Sequence, residues 1–195
     1  MVTIKEQQMN ASAIQTLFDY HYAMYDRIWE SAQTLSAEQF VAEGDYSLRS
    51  VRNQLLHVIE VDNRWLARLQ YLPLPDLLEE NVFPDQATLR PTWDAIRSDV
   101  LAYTRDLPDG DLAEIVELDF PQRGGKQSSL RWQILLHVVN HGTDHRAQIL
   151  ARLHELGAPT LEQDLILHLW AATPSVPPTS QGEASLDRLC WQVED

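Results

Sequence analysis

The chain has 195 residues and an apolar fraction of 44%, which fits one domain with a full hydrophobic core. Its net charge of -14, from 15 basic and 29 acidic residues, argues against binding to nucleic acid or to anionic membranes, because both need a basic surface. No apolar run approaches the roughly 20 residues that span a bilayer, and no apolar signal core follows the first methionine. The single cysteine, Cys190, excludes a disulfide within the chain. We therefore expect a cytoplasmic protein.

Two long helices are predicted in the first third of the chain. Apolar residues at seven-residue intervals predict a helix over residues 12–35, with His21 on its inward stripe. A second helix begins after Ser47 or Ser50, which are both suitable N-caps, and ends at a proline-rich segment. Its apolar rows are interrupted by Asp62.

The middle of the chain predicts one further helix and a small insert. Residues 36–43 indicate a loop or a short turn of helix. A third helix is expected over residues 91–107, since Pro91 suits the first turn of a helix. Residues 114–129 alternate weakly around a glycine pair, which indicates a hairpin or an extended crossover.

The fourth helix is predicted over residues 129–156. Ser128 or Ser129 is the expected cap at its start, and Gly157 is well placed just after its end. This helix carries the densest group of histidines in the chain.

A fifth helix is expected after Thr160, with Gln163 completing a capping box. The chain then becomes rich in proline and serine, so we divide it into a domain at residues 1–172 and a tail at residues 173–195. Long helices that each bury one stripe predict an all-α fold: an antiparallel four-helix bundle with an extra C-terminal helix and a small irregular or hairpin insert.

His137, His141 and His145 recur every four residues and therefore line one face of the fourth helix. His141 and His145 can direct two imidazole nitrogens at one metal ion, and His57 of the second helix is the best third ligand. His137 with His141 is an alternative pair by spacing, although we favour His137 as a core histidine. A buried polar network without metal is the remaining alternative.

Three imidazoles would leave coordination positions open for water or substrate. Such a set suits zinc, nickel, iron or copper, and we expect a divalent transition metal, zinc or nickel first. Glu60 and Asp144 each lie three residues after a candidate ligand, and either could orient an imidazole or act as the general base. Asn140 and Gln148 could also serve, while the alternative for both carboxylates is an ordinary solvated position. His21 is expected to be an inward histidine with polar partners.

Several segments together resemble the DinB/YfiT-like superfamily of metalloenzymes. The strongest match is WQILLHVVNHGTDHRAQ at residues 132–148, and SVRNQLLH at residues 50–57 supports it. The remaining matches are LFDY at 17–20, DNRWL at 62–66 and QDLILHLW at 163–170. The resemblance covers about residues 11–171 and implies a four-helix bundle with a metal site at one end of its interior.

Carried over to this sequence, the resemblance implies the ligands His57, His141 and His145, with His137 outside the set. It also implies a homodimer and a small-molecule substrate, with a low-molecular-weight thiol as one candidate. Two positions depart from the family pattern: Asp144 stands where many members have histidine, and Ala147 where glycine is frequent. We expect a metal-dependent enzyme that activates a thiol or water, of S-transferase or hydrolase type. The alternative is a helical bundle that binds a metal or small ligand without catalysis.

Overall fold

The computed structural model describes residues 9–121 and 124–173, and these are mostly helical with one two-stranded hairpin. They fall into two compact units that divide between Gln163 and Asp164. The first unit contains α1 (Ala11–Ala32), α2 (Ala37–Val41), α3 (Val51–Leu69), α4 (Gln86–Arg105), β1 (Ile115–Phe120), β2 (Gly125–Leu130) and α5 (Arg131–Glu155). The described part of the second unit contains α6 (Leu165–Ala172).

The four long helices of the first unit enclose one hydrophobic core. Helix α1 packs against α4 and α5, and α3 packs against the same two helices. The largest fully buried apolar side chains come from α1, α2, α3 and α4, and include Phe18, Trp29, Phe40, Leu55 and Trp93. Arg131, at the start of α5, donates to the carbonyl of Leu69, at the end of α3. Helices α3 and α5 therefore run in opposite directions, which places the middle of each beside the middle of the other.

The helix starts show which polar residues serve as caps. Ser50 caps α3, because its hydroxyl accepts from the backbone N–H of Asn53. Helix α4 begins at Gln86, capped by Asp85 in a capping box with Thr88, so the expected start at Pro91 is wrong. Pro91 lies inside the helix, because the capping box starts the helix before it. The segment after α1 forms the short helix α2.

The predicted hairpin is confirmed. Strands β1 and β2 pair antiparallel, and β2 includes both Ser128 and Ser129. The expectation that either serine caps α5 is therefore wrong: the side chain of Gln133 instead accepts from the backbone N–H of Leu130. Gly157 follows the end of α5 with a φ of 76°, a left-handed conformation that suits glycine, as predicted.

The capping box expected at Thr160 and Gln163 is wrong, because α6 starts later, at Leu165. Gln163 is used for tertiary contacts instead: its backbone carbonyl accepts from Tyr20, and its side-chain oxygen accepts from Arg146. The predicted tail beyond residue 173, including Cys190, lies outside the described residues.

Among the described residues, no helix combines the length and apolarity needed to cross a bilayer.

Candidate metal centre

Three histidines meet where α3 and α5 face each other. One ring nitrogen from each of His57, His141 and His145 lies within 4.8 Å of the others. The Nε2 atoms of His57 and His141 are 3.3 Å apart, and the ring centroids of His141 and His145 are 4.4 Å apart. We call these residues the three-histidine cluster. The i, i+4 spacing on α5 thus aligns two imidazoles, and the antiparallel packing of α3 supplies the third.

The three-histidine cluster is uncharged at neutral pH. Burial and the neighbouring His145 and His57 lower the pKa of His141 to about 3. Burial and His57 lower the pKa of His145 to about 4. Burial also lowers the pKa of His57, against the opposing effect of Glu60. All three imidazoles therefore carry a free lone pair, which is the form that binds a metal ion.

Gln54 orients one imidazole of the cluster. Its side-chain oxygen lies 2.7 Å from Nδ1 of His145, so Nδ1–H donates there and the lone pair stays on Nε2. The amide of Gln54 also donates to Gln148 over 3.0 Å. Sequence reasoning listed Gln148 as a candidate but missed Gln54. The signal was its position one helical turn before His57, on the same face of α3.

The spacing of the nitrogens fits a bound divalent ion. Two imidazole ligands at about 2.0–2.1 Å from a tetrahedral ion stand about 3.4 Å apart. The Nε2 atoms of His57 and His141 are separated by 3.3 Å. Nδ1 of His141 is buried without a hydrogen-bond partner among the described residues, so no contact there competes for the lone pair on Nε2. The residues present therefore suit a transition metal.

The two carboxylates proposed beside the ligands occupy different surroundings. Glu60 is half-buried, and its Oε1 accepts from the backbone N–H of Leu78 over 2.8 Å. Its negative charge acts on His57, whose pKa it raises against burial. Asp144 is exposed and acts similarly on His145. Glu60 is thus the carboxylate held in one position near the cluster, whereas Asp144 extends into solvent.

His137 lies outside the three-histidine cluster. Its ring centroid is 6.0 Å from that of His141, and its ring packs at a steep angle against Trp65 over 5.3 Å. The side chain is exposed, so the expectation of a core histidine is wrong. The reason is that His137 projects from α5 at its solvent edge, where Trp65 covers one side.

A second polar group lies on an adjoining face of α5, since Arg146 directly follows His145, and we call it the buried polar cluster: His21, Tyr22, Asp62 and Arg146. Tyr22 donates to Asp62 over 2.9 Å, and His21 Nε2 lies 3.7 Å from the same carboxylate oxygen. Arg146 Nη1 lies 3.3 Å from His21 Nδ1. His21 is thus the inward histidine that the sequence predicted. Asp62 and Arg146 were not identified as its partners from the sequence. The available signal was the position of Asp62 among the apolar rows of α3.

Gly142 joins the two clusters. It follows His141 on α5, and its missing side chain leaves room for the ring of His21 from α1. A Cβ at this position would lie 2.1 Å from Cε1 of His21, which no packed structure tolerates. Tyr25 also donates to the carbonyl of Gly142 over 3.0 Å. Helix α1 is therefore fixed against α5 at the level of the candidate ligands.

Comparison with known proteins shows the family and the fold of this chain. The family model described as the DinB family matches residues 7–182. A DinB-like protein of Bacillus cereus ATCC 10987 superposes with a TM-score of 0.53 at 19% identity, covering 73% of this chain and 94% of its own. A DinB family member of Shewanella denitrificans superposes with a TM-score of 0.51 at 14% identity, covering 88% and 93%. At these identities the two structures show a shared fold. No curated protein matches the chain.

Proposed function

Because this chain belongs to the DinB family and brings three neutral imidazoles together, we propose that it is a metal-dependent enzyme that activates a thiol or a water molecule. The reaction class is S-transfer to or from a low-molecular-weight thiol, or hydrolysis. The observation that carries the proposal is the convergence of three ring nitrogens within 4.8 Å in a half-buried site. Two imidazoles from one helix and one from another leave room for an exogenous ligand.

His57, His141 and His145 would hold the ion, with zinc or nickel as the first candidates. A divalent ion bound there supplies the acidification of a coordinated thiol or water. Gln54 keeps His145 in the tautomer that presents Nε2. The low pKa values of His141 and His145 mean that no proton has to leave these ligands near neutral pH.

Glu60 is the proposed proton acceptor. The backbone N–H of Leu78 holds Oε1, and this contact fixes the carboxylate near His57. The other oxygen is then the one that would take a proton from the nucleophile. Asp144 is the second candidate, and its exposed position suits exchange of that proton with solvent.

The wider setting of the proposal follows from the sequence. We propose that α1, α3, α4 and α5 form the antiparallel four-helix bundle expected for the family. We also propose a cytoplasmic homodimer that acts on a small molecule and binds neither nucleic acid nor membrane. The net charge of -14 supports the absence of binding to nucleic acid and to anionic membranes.

Turnover by the loaded protein tests the proposed function. Purified protein is loaded separately with zinc, nickel, iron or manganese and incubated with thiols and a panel of electrophiles and esters. We expect turnover by the parent and none above background by His57→Ala or His141→Ala. Metal retention without turnover for any metal would favour the non-catalytic binding bundle. Absence of bound metal at normal thermal stability would reject both functions.

A further inference from the structure

Two arginines of α3 lie on the same face as His57. Arg64 and Arg68 follow His57 by seven and eleven residues, which are helical repeats that return to one face. Both side chains are half-buried. They lie toward the end of α3 where it runs beside the start of α5.

Neither guanidinium is neutralised within the described chain. Arg64 Nη1 donates to the carbonyl of Pro75 over 2.6 Å, and Arg68 Nη1 donates to the carbonyl of Arg64 over 3.3 Å. No carboxylate of the described residues lies within 4 Å of either arginine, although acidic residues outnumber basic ones 29 to 15. Burial and the charge of Arg64 lower the pKa of Arg68. Two like charges held together in an acidic protein form a site that an anion would stabilise.

Aromatic rings lie between Arg68 and the three-histidine cluster. The guanidinium of Arg68 lies 5.1 Å from the ring centre of Trp65 and 4.8 Å from that of Phe120. Trp65 contacts His137, which in turn lies beside His141. A row of neighbouring rings therefore runs from the candidate ligand His141 through His137 and Trp65 to Arg68.

We propose that Arg64 and Arg68 bind a carboxylate of the substrate, while Trp65 packs against the apolar part of the same molecule. This proposal rests on the proposed function, because the other end of that molecule would reach the three-histidine cluster. Arg64 lies about 10 Å along α3 from His57, given about 1.5 Å of rise per residue. Arg68 lies further along α3, and its guanidinium is over the ring of Trp65, which precedes it by three residues. The substrate class is thus an elongated thiol or electrophile with a carboxylate about 10 Å from its reacting group.

The surroundings favour a carboxylate over a phosphate. The net charge of -14 repels a dianion more strongly than a monoanion. The rings of Trp65 and Phe120 also leave an apolar approach, which suits a carboxylate on a hydrocarbon body. The guanidinium fork matches two carboxylate oxygens.

The first test uses cobalt-loaded protein and mercaptoalkanoic acids of increasing length, namely mercaptopropionate, mercaptohexanoate and mercaptooctanoate. Binding is followed by the cobalt–thiolate absorption band. We expect the longer acids to bind about tenfold more tightly than their methyl esters, and mercaptopropionate to show no such difference, since one charge-assisted contact is expected to change affinity by about that factor. Equal affinity of acid and ester at every length would overturn the proposed carboxylate subsite. In that case, binding of the esters through their thiol would still support the metal site.

Variants separate recognition of the carboxylate from a structural effect. Arg64→Gln and Arg68→Gln should remove the preference for acid over ester while leaving ester binding unchanged. Arg68→Lys should retain most of the preference because it keeps the charge. Arg105→Gln removes the same charge from an exposed position on α4 and should change nothing. Loss of acid and ester binding in equal measure would show that the arginines only support the fold.

A second test does not need metal. Metal-free protein is titrated with phenylbutyrate and with its amide, and the indole N–H signal of Trp65 is followed by NMR after assignment with Trp65→Phe. We expect the acid to shift this signal at concentrations where the amide does not, and Arg68→Gln to abolish the difference. Identical titrations by acid and amide would overturn the proposal. Displacement of phenylbutyrate by an equal concentration of inorganic phosphate would overturn the assignment to a carboxylate.

Discussion

The three-histidine cluster and the buried polar cluster share one helix, and α5 contributes to both within six residues. In the three-histidine cluster, neutral imidazoles face each other with lone pairs, and the Nε2 atoms of His57 and His141 approach to 3.3 Å. In the buried polar cluster, a cation and an anion stand on either side of a histidine: Arg146 on one side and Asp62 on the other. The first group contains only neutral imidazoles, whereas the second contains a buried cation and a buried anion.

The charges of the two clusters therefore indicate different roles: a binding site for the three-histidine cluster and a structural contact for the buried polar cluster. Three imidazole nitrogens that converge on one point are stabilised by a bound cation. A single proton can form a hydrogen bond between only two of them, whereas a metal ion can bind all three. The buried polar cluster already contains both signs of charge, with His21 between Asp62 and Arg146, so an added cation would gain less there. The predictions below test whether the two clusters have these separate roles.

The largest expected effect is on stability, from Asp62→Leu. This change removes the carboxylate that accepts from Tyr22 and faces His21, and it leaves the buried charge of Arg146 without an anion in its cluster, which costs about 3–5 kcal/mol in free energy of unfolding. Urea denaturation measures it, with Asp99→Leu on the exposed face of α4 as control. Metal affinity of the folded protein should change by about threefold or less, because Asp62 is hydrogen-bonded to Tyr22 and acts on the ligand His57 only through its charge. A parallel collapse of metal affinity at native stability would contradict the separation.

His141→Ala should produce the next largest effect. Removing one of three ligands should weaken zinc binding by more than about 100-fold, beyond the usual cost of losing an outer partner. His137→Ala is the matched control on the same helix face and should change zinc affinity little, since His137 lies outside the cluster. Competition with a chromophoric chelator measures both. Equal losses would show that His137 and His141 are the ligand pair.

Gln54→Leu should have a smaller effect on the same measurement. Without the side-chain oxygen, His145 loses the partner that fixes its tautomer, and zinc affinity should fall by about tenfold. Gln70→Leu, an exposed substitution just after α3, is the control. Unchanged zinc affinity in Gln54→Leu would mean that Gln54 holds α3 and α5 together without affecting His145 as a ligand.

The mildest expected effect is on the pH dependence of the metal-free protein. His141 and His145 titrate at about 3 and about 4 when folded, below the ordinary value of 6.5, so the unfolded chain binds more protons in between. Stability should therefore be fully present above pH 6.5 or so and decline as the pH falls toward 4. Urea denaturation across this range should show a shallower decline in His141→Ala. An identical slope in parent and variant would place the titration elsewhere.

The histidines could be predicted because their signal is local. Four-residue spacing on one helix sets the faces of His141 and His145 without knowledge of any other element. Gln54 and Arg146 could not be assigned in this way, since each acts through a partner on another helix, and one sequence does not show which residues meet. The capping box at Thr160 and Gln163 failed for the same reason: a valid local pattern lost to long-range contacts with Tyr20 and Arg146.

Gly142 gives the two clusters a shared evolutionary constraint. Its open space is filled by the ring of His21, so a side chain at either position competes for the same volume. We therefore expect positions 21 and 142 to vary together among homologues: wherever 142 carries a methyl group or larger, position 21 should be smaller than histidine. Covariation at position 142, next to the candidate ligand His141, would then reflect the packing of α1, a helix that supplies no candidate ligand.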